Sequence, residues 1–269
     1  MIVDIHTHPP QYQQLPPGIK PEYNGMWRPD RPVKVSTCWD DYMEAQKPAV
    51  RSVVFGIAVN PSGEHRAGDP EWSSGNVNDG VAEFVAAYPE RLIGFCAVHP
   101  FDPHCLEELE RGRSDLGLKG VKLGANYQNY DPLEPRALAV YEYAQRHSLP
   151  IMFHKGTSPV RDAPIRYAHP MIIDEIAMRY PQLRMVLAHM GHPWQVDTCV
   201  VIRKHPHVYA DLSANFYRPF SFWEQMIKAT EWNVLDKILF GTDWPITDVA
   251  ESIDHLRRVN DILEGTKLP

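Results

Sequence analysis

Ile2-Val3-Asp4-Ile5-His6-Thr7-His8, followed by Pro9-Pro10, is the stretch that decides the reading of this chain. It is a short apolar run that ends in His-x-His. Strand side chains alternate with a period of two, so the two imidazoles fall on one face. Two neutral imidazoles side by side form half of a divalent-metal site. If this is a metal site, further ligands are expected where other strands end.

Working outward, short apolar runs recur at 2–6, 52–58, 92–98, 119–123, 150–154, 184–188, 207–211 and 237–241. Several are rich in β-branched residues and end in Gly, His, Asp or Pro, as buried parallel strands do. Helical patterns fill the gaps, at 37–49, 77–88, 103–114, 134–147, 169–180, 194–204, 220–232 and 248–262. In the segment 169–180, Ile172, Ile173, Ile176, Ala177 and Tyr180 form one stripe, and Tyr180-Pro181 stops the helix. Asp102-Pro103 and Glu134-Pro135 read as helix starts. Eight strand–helix units in 269 residues predict a single-domain α/β protein, a (β/α)8 TIM barrel spanning 1–269.

Two connections exceed simple βα loops. Residues 9–36 hold seven prolines, and 59–76 hold Pro61, Gly63, Gly68, Pro70 and Gly75. Long ordered loops at this end of a barrel are usually functional. Tyr12, Tyr23 and Trp27 suggest that the first of them covers something.

Composition narrows the function classes. The net charge is −7 without a basic block, which argues against nucleic acid. No apolar run approaches the ~20 residues of a membrane helix. Asp4, His6 and His8 interrupt the N-terminal apolar stretch, which does not read as a signal peptide. The expectation is a cytoplasmic protein acting on a small molecule. The four cysteines, at 38, 96, 105 and 199, form no metal-binding or disulfide pattern.

In a barrel, the C-terminal strand ends surround one cavity. His6 and His8, Gly120-Val121-Lys122-Leu123, Phe153-His154, Leu187-Ala188-His189-Met190-Gly191 and Phe240-Gly241-Thr242-Asp243-Trp244-Pro245 then meet there. This ordered set resembles the amidohydrolase superfamily over nearly the whole chain. More narrowly it is similar to the amidohydrolase-2 branch, which includes relatives of aminocarboxymuconate-semialdehyde decarboxylase and metal-dependent lactone and C–C hydrolases.

The resemblance implies that His6, His8, His154 and Asp243 bind one divalent metal. Three imidazoles and a carboxylate suit zinc first, with manganese, iron or cobalt as alternatives. His189 and Asp243 are implied as catalytic groups that move protons. Lys122 is implied to bind a substrate carboxylate or oxyanion, the alternative being a carboxylated lysine bridging two metals.

Arg161, with Lys155, Arg166 and Arg218, follows strand ends and is a candidate carboxylate binder. Trp244, with Trp27, Trp72, Tyr127, Tyr130, Phe216 and Tyr217, suggests an aromatic-lined pocket. His192 suits a helix start or the site, and His99 suits the cavity or the core.

The leading expectation is a metal-dependent hydrolase attacking a lactone, ester, amide or C–C carbonyl of a small, aromatic-derived acid. The alternatives are non-oxidative decarboxylation of an aromatic or muconate-type acid and, in another class, a catalytically silent barrel that binds a partner. A homodimer is expected by analogy with the fold only.

Overall fold

In the computed structural model, which describes residues 1–25, 28, 31–58 and 76–264, the apolar runs become parallel strands. They are β1 (Val3–Thr7), β2 (Arg51–Val54), β3 (Leu92–Gly94), β4 (Cys96–Ala97), β5 (Val121–Leu123), β6 (Ile151–Phe153), β7 (Met185–Leu187), β8 (Val208–Asp211) and β9 (Ile238–Leu239). Pairing runs β1-β2-β3 in one sheet and β4 through β9 in a second.

The nine segments make eight barrel strands. The expected single strand 92–98 is interrupted at Phe95, but its hydrogen bonds stay continuous. Phe95 N–H donates to Val54 O, and Cys96 N–H donates to Gly120 O. The break admits a large side chain to the barrel interior. A Cβ at Gly120 would lie 2.5 Å from the Phe95 ring, so only glycine fits opposite it. The barrel closes between first and last strands, where Ile5 N–H donates to Phe240 O, Asp243 N–H to His6 O and His8 N–H to Trp244 O. The fold is therefore the expected (β/α)8 barrel.

The helices are α1 (Trp39–Ala45), α2 (Val77–Ala87), α3 (Cys105–Ser114), α4 (Ala125–Gln128), α5 (Pro135–Arg146), α6 (Ile172–Arg179), α7 (Gln195–Lys204), α8 (Pro219–Glu231) and α9 (Val249–Arg257). Their starts follow capping chemistry. The Asn76 side chain accepts from Asn78 N–H, Asp248 accepts from Glu251 N–H, and Pro135 occupies the first turn of α5. The α6 stripe buries Ile173, Ile176 and Ala177, but the helix begins three residues later than its sequence pattern, at Ile172. α4 was not expected. The Gln128 side chain ties it to the mouth, accepting from Gly124 N–H and donating to Val98 O.

Two apolar layers result. Val53, Phe55, Phe95, Met152 and Ala188 fill the barrel interior, while the larger cluster lies between strands and helices. All four cysteines are buried and free. The long 9–36 connection is pinned by β-bridges, Tyr12 to Cys38 and Tyr23 to Lys34, and by an Arg31–Glu251 ion pair at 2.7 Å. Residues 59–75, Trp27 and Trp72 lie outside the described residues, as does the role expected of them. Among the described residues no helix is long and apolar enough to cross a membrane.

Candidate active site

The His-x-His of β1 does place both rings at the barrel mouth. Beside them stands Asp243, in the turn after β9. Asp243 Oδ1 is 3.2 Å from His6 Nε2 and 3.0 Å from His8 Nε2. Gly241 allows this approach, because a Cβ there would lie 2.9 Å from the His6 Cβ. Asp243 itself has φ +62°, and His189 has φ +59°. Left-handed backbone at non-glycine residues costs on the order of 1–3 kcal/mol each and is typical of functional sites.

A second carboxylate clamps this turn to β1. Asp4 accepts from His6 N–H at 3.1 Å, from Thr242 N–H at 3.0 Å and from the Thr242 hydroxyl at 2.7 Å. Burial raises its pKa to about 6 against these hydrogen bonds.

Behind the cluster lies Asp211, at the end of β8, with Ser213 two residues on. Asp211 Oδ2 accepts from His6 Nδ1 at 2.9 Å, and its Oδ1 accepts from His189 N–H and Ser213 N–H at 3.0 Å each. Burial disfavours its charge, but His6 and Ser213 outweigh that and hold its pKa at about 2. His189 Nε2 lies 3.2 Å from His154 Nδ1.

The chemistry of this donor set fits a cation. His6 Nδ1 faces the Asp211 carboxylate and, at 3.1 Å, the Ser213 hydroxyl, whose one proton goes to Asp211; His8 Nδ1 faces the Phe55 carbonyl at 3.2 Å, so none of these partners donates to a ring. Each neutral ring therefore carries its proton on Nδ1 and turns an Nε2 lone pair toward Asp243 Oδ1. Lone pairs facing a carboxylate need positive charge between them. Burial keeps His8 below its usual pKa, so a proton does not readily supply it there. His6, Asp211 and Asp243 draw positive charge by contrast. Burial and Lys122 oppose a charge on His6, yet the two carboxylates raise its pKa; burial opposes ionisation of Asp243, yet the His6 charge holds it well below the usual carboxylate range.

Ligand atoms of His6, His8 and Asp243 lie within 4.8 Å of one another. His154 Nε2 is buried and finds no hydrogen-bond partner among the described residues. Backing of an imidazole Nδ1–H by a carboxylate is the usual support of a metal-bound histidine.

At the cluster is a cavity of about 110 Å³, whose lining includes His154, His189 and Asp243 together with Arg31, Tyr217 and Arg218. The guanidinium carbons of Arg31 and Arg218 lie 5.4 and 4.6 Å from the Tyr217 ring centroid. The 9–36 connection thus contributes to the cavity wall.

The remaining candidates divide. Lys122 is 1% exposed, is not among the residues lining the cavity, and places Nζ 4.4 Å from the Phe55 ring centroid without a hydrogen-bond partner among the described residues, close enough to the cluster to oppose charge on His6. Burial lowers its pKa to about 8. Trp244, expected to bind substrate, is 5% exposed and packs edge-on against Tyr42 at 4.9 Å; it is core. Arg161 is exposed and does not line the cavity. Lys155 donates to Tyr167 O, and Tyr130 and Phe216 are buried core residues. His192 lines the cavity, whereas His99 is buried between Gln128 O and Phe101 N–H.

Sequence reasoning missed Asp4, Asp211, Ser213 and Asn215. The Asp that ends the run 207–211 was the available signal for Asp211.

An eight-stranded parallel barrel with histidines and a carboxylate gathered at its C-terminal mouth defines a class of metal-dependent barrel enzymes. Residues 3–265 match the amidohydrolase family, and the chain belongs to that family. It is 28% identical over 219 residues to a gamma-resorcylate decarboxylase from a Rhizobium species, an alignment covering 66% of each chain. The chain thus spans just under two thirds of the length of that relative. An uncharacterised TIM-barrel protein from Bordetella bronchiseptica superposes with a TM-score of 0.69 at 19% identity, covering 100% of this chain and 92% of the other. A dihydroxybenzoic acid decarboxylase from a Polaromonas species, solved with bound manganese and 2-nitroresorcinol, gives 0.60 at 19% identity, covering 87% and 82%.

Proposed function

We propose that this protein is a metal-dependent non-oxidative decarboxylase of a small hydroxylated aromatic acid. The observation that carries the choice over hydrolysis is the similarity to a gamma-resorcylate decarboxylase at 28% identity over 219 residues.

His6, His8, His154 and Asp243 would hold a divalent cation; the manganese in the Polaromonas relative puts manganese beside zinc as the metal to test. When bound, that ion supplies positive charge that orients an anionic substrate and offsets charge developing on it.

The chain's own residues do the rest. Arg31 and Arg218 line the same cavity as His154, His189 and Asp243 and favour an anion in it. Tyr127 and Tyr217 add aromatic surface to the lining of the cavity. The C–C bond to the carboxylate breaks, its electrons stay on the ring carbon, CO2 leaves, and a proton drawn from solvent takes its place. Asp243 lines the cavity as a carboxylate and is the residue we assign to accept that proton and pass it to the ring carbon. His189 also lines the cavity, with both ring nitrogens already engaged, so we assign it to positioning rather than proton transfer.

Incubation of the manganese- or zinc-loaded protein with 2,6-dihydroxybenzoate and related acids tests the reading. Release of CO2 with the decarboxylated phenol is expected, and its loss in Asp243→Asn. Conversion of lactones or esters with uptake of water and no CO2 would establish the hydrolase instead. Metal uptake with no turnover of either class would favour the silent barrel.

A further inference from the structure

The hydrogen bonds behind the cluster run in one direction. Asp211 is an ionised acceptor, and the Ser213 hydroxyl donates its single proton to Asp211 Oδ1. The Ser213 oxygen lone pairs then face His189 Nδ1 at 2.8 Å. The Ser213 carbonyl lies 3.1 Å from the same nitrogen and can only accept. Two acceptors thus hold the His189 proton on Nδ1. With both rings neutral, His189 Nε2 is an acceptor, and the 3.2 Å contact to His154 Nδ1 needs a proton from His154. His154 is left with its proton on Nδ1 and a lone pair on Nε2, the buried atom that has no partner among the described residues. Asn215 steadies the chain by donating to the carbonyls of His189 and Ser213.

We propose that Ser213 and His189 are positioning residues: the relay Asp211–Ser213–His189 sets the tautomer of His154 and so makes its Nε2 a cation ligand. This rests on the reading of the cluster as a divalent-cation site. His189 acts here as a hydrogen-bond acceptor rather than as a proton donor to substrate. A glutamine at 189 can replace it, its carbonyl accepting from His154 while its amide donates to Ser213. A leucine cannot.

The test uses the whole chain, with 15N-labelled histidine, free of metal. Long-range 15N–1H spectra are expected to show wild-type His154 protonated at Nδ1 and bare at Nε2. In His189→Leu, His154 should populate both tautomers, and manganese or zinc should bind roughly 10–100-fold more weakly, the range for loss of a ligand's outer partner. In His189→Gln, tautomer and affinity should return to within a few-fold of wild type. Wild-type His154 protonated at Nε2 overturns the relay without need of any variant. So does His189→Leu with an unchanged His154 tautomer, or His189→Gln behaving like His189→Leu. If the tautomers behave as stated but no cation binds, the relay stands and the cation-site reading fails.

Discussion

Thr242→Val replaces one buried hydroxyl by a methyl of nearly the same shape. The Thr242 hydroxyl donates to Asp4 Oδ2 at 2.7 Å and accepts from Trp244 N–H at 3.1 Å, and both Thr242 and Asp4 are fully buried. A hydrogen bond to a charged group is worth about 1.5–3 kcal/mol, and a buried donor left unpaired costs about 1–3 kcal/mol. The two do not add fully, because Trp244 N–H can relax, so the expected loss is about 2–4 kcal/mol. Urea unfolding at pH 7 measures it, with Thr230→Val as the control. Thr230 makes a similar 2.8 Å bond to Met226 O, but on an exposed helix face, and should lose no more than about 0.5 kcal/mol. The clamp joins the strand carrying His6 to the turn carrying Asp243, so Thr242→Val should also weaken manganese or zinc binding. A Thr242→Val protein as stable as Thr230→Val would refute the clamp.

Three further outcomes follow from the same structure. Saturating manganese or zinc should raise the thermal midpoint, by the equivalent of about 2.7 kcal/mol at 100 times Kd, and the rise should vanish in His8→Ala, as read by differential scanning fluorimetry. Lys122→Met should stabilise the metal-free protein by up to about 3.5 kcal/mol, since burial lowers the lysine pKa from 10.5 to about 8 and each unit is ~1.4 kcal/mol. The wild-type penalty is complete below pH 8 and fades between 8 and 10.5, so urea titrations of both proteins across that range should converge at the alkaline end; a destabilised Lys122→Met would give the lysine a structural role. Asp174 is held below its usual pKa; burial opposes this, but bonds from Lys204 and His205 prevail. Asp174→Asn should therefore cost about 0.5–1 kcal/mol at neutral pH. That difference should shrink as pH falls below the ordinary value of 3.8 and through the depressed one, as chemical denaturation at pH 7 and pH 3 would reveal.

The front of the site was legible in the sequence. The His-x-His spacing fixes two rings on one face wherever that strand lies, and His154 and Asp243 could be found because each follows an apolar run that had to be a barrel strand. The order of strands and helices was legible for the same reason: buried parallel strands need continuous apolar runs, and helices need their 3.6-residue stripe.

The back of the site was not legible. Asp211 supports His6 across 205 positions of sequence, and Ser213 supports His189 across 24. Nothing local marks a serine or an aspartate as the partner of a distant ring. The third strand's break at Phe95 depended on room left by Gly120, and Trp244 went to the core because Tyr42 stood where its ring could pack. Periodicity is a property of neighbours along the chain, and the sequence determined what it controls: element type, facing and strand ends. Which side chains meet depends on how the strands tilt and close into a barrel. The tertiary structure alone therefore decided the acceptors behind each imidazole, the burial of Lys122 and the arginines that line the cavity.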